Sequence, residues 1–250
     1  MRGALHQMRV EVKVDREWLE KWRNYFTEYY DIGGVEEKVR EAISFTKLYI
    51  RDSIVAVSGG KDSMTMLHIV YNNISHDITV FHWDHGPWLM PRHIENEILE
   101  NIRKVAPKAR LVVKRYAYGA NPRSRIDYVK WYKAFFRTLE EIGARHHLLG
   151  IRAEESGNRR ARGSIVRKRK WIEVYPVYYF TWRDIWAYIF KHNVPVPRTY
   201  FKYAKMLGWS RARLTTFHDQ EFMKYGSPNI DSIILWRNKS IMVDSSRKVL

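Results

Sequence analysis

Cysteine is absent from the 250 residues. That removes disulfides, Cys-ligated zinc, iron–sulfur clusters held by this sequence, and every mechanism in which it supplies a thiol. Glutamine is confined to Gln7 and Gln220. Together with many Lys, Arg and Glu, this depletion leans towards a thermophilic source. No window holds 18 consecutive apolar residues, so no membrane partner is expected. The first fifteen residues lack the apolar centre and small-residue cleavage site of a signal peptide, and the expected location is cytoplasmic. No internal repeat or low-complexity segment is visible.

Positive charge, by contrast, is abundant. Forty-four Lys and Arg stand against 27 Asp and Glu, a formal net charge of +17. Such a field draws polyanions, whether nucleic acid, an anionic surface or a phosphorylated small molecule, without choosing among them. A solvated basic surface that only aids solubility is the bland alternative. Hydrophobic residues make up 45% of the chain, enough for a packed core.

The patterning begins with two helices, over 15–30 and 35–51, separated by Gly33-Gly34. Strand candidates at 53–57, 78–83, 110–115 and 147–151 then alternate with helical stretches at 62–73, 92–105 and 125–142. Four alternations with crossovers this long predict an α/β fold, a doubly wound parallel sheet of Rossmann-like type. Residues 152–170 are polar and very basic, and 171–179 suit a strand or extended segment. Thr181 with Asp184 has the shape of a capping box opening a helix to about His192. The rest is expected to be mostly helical, with a strand at 232–236. The organisation predicted is a helical appendage over 1–34, a nucleotide-binding domain over 35–198 and a mainly helical extension over 199–250.

The chemistry is concentrated after the first strand, at Ser58-Gly59-Gly60-Lys61-Asp62-Ser63. A glycine turn feeding a helix N-terminus at the carboxyl end of a strand exposes backbone N–H groups to a phosphate. Gly59 and Gly60 permit close approach, Ser58 and Ser63 supply hydroxyls, and Lys61 supplies a point charge. Asp62 suits the first helical turn and is the candidate Mg²⁺ ligand. A plain turn capping the helix is the alternative. A Walker A loop is excluded by Val55 and Asp62, a nucleophile elbow by Ala56, and no dinucleotide fingerprint is present.

This hexapeptide resembles the PP-loop of the adenine nucleotide α-hydrolase superfamily. His82-Trp83-Asp84-His85-Gly86 is similar to the "VDTG" region of phosphoadenylyl-sulfate (PAPS) reductases. Gly150-Ile151-Arg152-Ala153-Glu154-Glu155-Ser156, with Arg159, Arg160 or Arg162, resembles their "GxRxxES…R" segment, and residues 176–193 resemble the stretch that follows. The resemblance runs in order over about 35–200. It implies a PP-loop that grips the phosphates of ATP or a related adenine nucleotide, with adenosine near 81–84. It also implies nucleotide contacts from Asp84 and Gly150, and catalytic roles for Lys61, Asp62, Arg152, Arg159 and Arg160. Arg152 and the arginines after Ser156 would face the acceptor.

The family's reductase cysteine has no counterpart, and Trp209 stands near its expected place. The resemblance therefore implies chemistry at the α-phosphorus of ATP, with adenylylation of an oxyanion or a nucleobase carbonyl, rather than thiol-dependent reduction. A different class of reading is a nucleic-acid-binding module. Residues 159–170 hold Arg159, Arg160, Arg162, Arg167, Lys168, Arg169 and Lys170 without an acid, and Trp171 is beside them to stack a base. A mobile basic loop closing over ATP explains the run equally well. His82, Asp84 and His85, with His146 and His147, are a weaker metal candidate, since nucleotide contacts explain Asp84 more economically. Trp182 and Trp186 are read as core, as are Trp131, Tyr132, Phe135 and Phe136. Self-association is left open.

Overall fold

The computed structural model describes residues 13–84, 86, 90–115 and 125–214, except for the side chains of 125–132 and 207. His85, the side chains of Trp131 and Tyr132, and the strand expected at 232–236 lie outside the described residues.

Helix α1 (Arg16–Ile32) is capped by Asp15, whose carboxylate accepts the Trp18 N–H at 2.8 Å. Its apolar face carries Trp18, Trp22 and Phe26. Trp18 stacks on Trp209 with centroids 5.4 Å apart, and Phe26 stacks on Phe190 at 5.5 Å. Helix α2 (Val35–Lys47) follows Gly34, whose φ of +68° turns the chain. It ends one turn before the 51 expected.

The alternating segment contains β1 (Ser53–Ala56), α3 (Lys61–Asn73), β2 (Thr79–Asp84), α4 (Arg92–Val105), β3 (Arg110–Arg115), α5 (Arg125–Ile142) and β4 (His146–Leu149). The sheet order is β3-β2-β1-β4-β6-β5, with β5 (Ile165–Arg167) and β6 (Ile172–Val174) added beyond β4. All pairings are parallel except β5 with β6. Side chains alternate across β1: Val55 belongs to the main core with Met64, Leu67 and Ile98, whereas Ile54 points to the opposite layer with Phe81, Trp83 and Leu139. Both faces are covered, so this is the doubly wound α/β architecture expected.

The polar, basic stretch 152–170 holds a 3₁₀ turn (Ala153–Glu155), the single-turn helix α6 (Gly157–Arg160) and strand β5. Only 172–174 of the extended candidate form a strand, because the chain turns where the Tyr178 N–H bonds Tyr175 O. The capping box is present. Thr181 and Asp184 exchange hydrogen bonds at the start of α7 (Trp182–Lys191), and the buried Asp184 carboxylate also takes Lys38 Nζ at 2.6 Å. Helix α8 (Thr199–Leu207) follows the prolines.

In α3 and α7, His68 Nδ1 lies 2.9 Å from Tyr188 Oη and its ring meets His192. Burial, then the nearby His192, pushes the His68 pKa from 6.5 down to about 4. The folded state therefore binds fewer protons than the unfolded chain between these values, so stability falls as pH drops from 6.5. Each pH unit in this window costs about 1.4 kcal/mol. Urea unfolding at pH 7 and pH 5 should show this loss, and His68→Asn should flatten it. An unchanged slope would contradict the assignment.

Candidate functional site

The sheet order reverses between β1 and β4, and parallel sheets take their ligands in the crevice at such a point. Two segments meet there: the turn after β1 and the chain leaving β4 at Gly150. In the turn, Gly59 has φ +79°, and a Cβ there would fall 2.4 Å from Ile98 Cγ2 of α4. Ser63 Oγ donates to Gly60 O at 2.9 Å and accepts the Ser58 N–H at 3.2 Å, while the two serine hydroxyls lie 3.2 Å apart. The serines thus hold the turn closed on itself. Across the crevice, a Cβ on Gly150 would sit 2.6 Å from both N and Cα of Ser63. Only glycine allows β4 to lie this close to the first turn of α3.

Charge is packed around that helix start. Lys61 is 3% exposed and Arg152 is 4% exposed. Asp62 lies between them, with Oδ2 3.1 Å from Lys61 Nζ and Oδ1 accepting Arg152 Nε at 2.6 Å. Burial pushes the Lys61 pKa down, against the pull of Asp62. Burial opposes ionisation of Asp62, but Lys61 and Arg152 outweigh it and hold its pKa below the usual value. Arg152 therefore joins the Lys61–Asp62 pair directly instead of standing across the site from it. Its Nη1 also donates to Glu154 at 3.0 Å. Glu155 accepts the Arg152 N–H at 3.1 Å and pairs with Arg159, so Arg159 is tied to the same cluster while Arg160 is exposed.

Asp84 ends β2 fully buried. Arg92 grips it through two bonds of 2.7 and 3.0 Å, Arg115 Nε through one of 2.6 Å, and the Gly86 N–H through one of 2.8 Å. Burial would raise its pKa, but the Arg92 and Gly86 bonds, with Arg115, hold it at about 2. The carboxylate expected to meet the nucleoside is thus engaged by the protein, and the two arginines present the outward charge. His82 sits beneath the turn, with Nδ1 2.7 Å from Val57 O and Nε2 2.6 Å from Glu95. His147 stacks on Trp171. Among the described residues, no group of three His, Asp or Glu side chains is arranged to hold a metal.

The Trp171 ring, half-buried, is stacked with Phe136 at 4.8 Å and with His147 at 5.4 Å, so part of it is taken up by packing within the fold. Of that run, Lys170 bonds both oxygens of Glu140 at 3.1 Å and Lys168 approaches Glu173 at 3.8 Å. Arg160, Arg162, Arg167 and Arg169 are exposed. Trp186 is fully buried and Trp182 packs against the same core, as expected.

Sequence reasoning assigned no role to Tyr200, whose buried hydroxyl accepts the Lys61 N–H at 2.9 Å across 139 positions. Arg213 also exerts its charge on Lys61 and Arg159. No local spacing signals either contact.

The cradle fits the phosphates of a nucleotide: a helix N-terminus whose first N–H meets the Tyr200 hydroxyl, glycines that leave no Cβ in the way, and buried cations behind it. Asp62 does not fit a Mg²⁺ ligand in this arrangement, since both its oxygens already face cations. Fold and motifs define a PP-loop protein of the adenine nucleotide α-hydrolase superfamily. Residues 52–212 match the phosphoadenosine phosphosulfate reductase domain, and the chain belongs to that family. It is 23% identical over 177 residues to an adenosine 5'-phosphosulfate reductase of Bacillus cereus, covering 64% of this chain and 74% of that one. A Bacillus cytotoxicus enzyme of the same name is 24% identical over 162 residues, covering 60% and 68%. Among solved structures, a U34-tRNA thiolase from Methanococcus maripaludis aligns with a TM-score of 0.50 and 12% identity over 88% of this chain and 79% of that one. A PAPS reductase from Candida auris aligns with a TM-score of 0.47 and 15% identity, over 76% and 92%.

Proposed function

We propose that this chain binds ATP with its phosphates at residues 58–63 and catalyses attack of an acceptor oxygen on the α-phosphorus. The bond to the β-phosphate oxygen breaks and a new bond to the acceptor forms. Pyrophosphate leaves; an oxyanion acceptor has no proton to lose, whereas a nucleobase carbonyl acceptor passes its ring N–H proton to solvent. The observation that carries this reading is the Lys61–Asp62–Arg152 cluster against the α3 N-terminus, where preorganised donors stabilise charge on the departing pyrophosphate. Absence of cysteine from the sequence separates this chemistry from thiol-dependent reduction. The acceptor is an oxyanion or a nucleobase carbonyl. The exposed Arg160, Arg162, Arg167 and Arg169 favour a second reading, in which RNA or DNA docks beside the site as substrate or as bound partner.

Calorimetry with ATP, AMP and PAPS, joined to a pyrophosphate-release assay, tests the proposal. ATP should bind below millimolar, and Lys61→Ala should weaken it by about tenfold or more, as expected for loss of a charged contact. An unchanged affinity in Lys61→Ala, or no binding by the native protein, would overturn it. Nucleic-acid affinity that falls steeply with salt, with no ATP turnover, would favour the second reading.

A further inference from the structure

Tyr200 places its hydroxyl at the first N–H of α3. Its oxygen lies 2.9 Å from the Lys61 nitrogen, in line with the first N–H of the helix, and 3.4 Å from where a Cβ on Gly60 would stand. It therefore occupies space that an anion bound at this N-terminus would approach. The residue is 1% exposed. Lys61 N–H donates to the oxygen, and the Leu214 backbone also bonds to it. The hydroxyl proton, by contrast, has no acceptor among the described residues, and burial holds the phenol well above its usual pKa. A phenol that accepts from the backbone while its proton has no partner is a donor waiting for an acceptor.

The ring is held in place from behind. Trp186 packs edge-on against it at 5.5 Å, Trp186 Nε1 donates to Trp209 O at 3.0 Å, and Trp209 is stacked on Trp18 of α1. The Tyr200 N–H is bound to Pro197 O at 2.9 Å. Swinging the hydroxyl out would disturb this whole stack, so its position is fixed before any ligand arrives.

We propose that Tyr200 is a phosphate-contacting residue, its hydroxyl taking the Lys61 N–H and passing its own proton as a hydrogen bond to a pyrophosphate oxygen. This rests on the reading that residues 58–63 hold nucleotide phosphates. The geometry gives the hydroxyl a role beyond capping: it converts a backbone donor of fixed direction into a side-chain donor reaching further into the crevice. Loss of the hydroxyl is expected to act mainly on phosphate affinity, since adenosine alone makes no use of it.

The test uses the full chain with inorganic pyrophosphate, ATP and adenosine as probes. Tyr200→Phe should weaken pyrophosphate and ATP by about tenfold, the loss of one hydrogen bond to a charged group, and leave adenosine binding unchanged. Equal or tighter pyrophosphate binding in Tyr200→Phe would overturn the inference and leave the nucleotide reading standing. Failure of the native protein to bind either ATP or pyrophosphate would remove both. A protein with 3-fluorotyrosine at position 200 gives a readout independent of the folding of that variant. Its fluorine resonance should move on adding pyrophosphate but not adenosine, and a resonance indifferent to pyrophosphate would refute the contact.

Discussion

Replacing Asp62 with Asn should destabilise the protein by about 3–5 kcal/mol, the usual cost of removing one partner from a buried ionic cluster. Lys61 and Arg152 are both nearly inaccessible to water, and both face this carboxylate. An amide of the same shape leaves two cations facing each other without compensation. Lys61 can escape by losing its proton, since burial already favours the neutral amine, whereas a guanidinium cannot. The variant should therefore gain stability more steeply than the native protein as pH rises above neutrality, because in the native protein Asp62 pulls against the loss of that proton. Urea unfolding from pH 7 to 9 measures the difference. A loss below about 1 kcal/mol, the range of exposed pairs, would show that the cluster is hydrated and the charges are not interdependent.

A methyl group at position 150 is expected to be as damaging by a different route. In Gly150→Ala the added carbon would meet backbone atoms of Ser63 and Asp62 at 2.6 to 2.9 Å. Backbone at a helix start cannot rotate aside as a side chain can, so β4 and α3 must separate. Displacement of about 1 Å at such a site costs on the order of 100-fold in function. ATP affinity and pyrophosphate release should fall accordingly, with a lower melting temperature. Gly157→Ala is the control, because nothing lies within 4 Å of a Cβ there and its φ is not positive. Wild-type behaviour in Gly150→Ala would show that the strand and helix are free to slide.

The contrast between these residues explains what the sequence reveals. The hexapeptide at 58–63 is contiguous, and its glycines and serines act on one another locally, so the turn was legible from spacing alone. The alternation of β1 through β4 was legible because each strand is a short apolar run and each helix carries a 3.6-residue stripe. The three-residue strand β5 had no such signal: Ile165, Val166 and Arg167 form a strand only because β6 pairs with them. Asp84 was legible as a residue at a strand end, but its partners Arg92 and Arg115 lie 8 and 31 positions away on separate elements. The packing of Trp171 was out of reach for a related reason, since its stacking partners come from α5 and β4. Tyr200 lay beyond reach altogether, because a tyrosine in a short helix after prolines carries no mark of the amide it meets.

Strand β3 closes one side of the sheet order, and Arg110, Lys114 and Arg115 are exposed along it. Two copies meeting side by side at this strand would bring like charges within a few ångströms of one another. Such repulsion is how natural sheets discourage accretion into fibrils. Because salt screens it over a Debye length of about 10 Å at 0.1 M, colloidal behaviour should depend on the medium: dispersed in dilute buffer, and more prone to cluster through this margin as ionic strength rises.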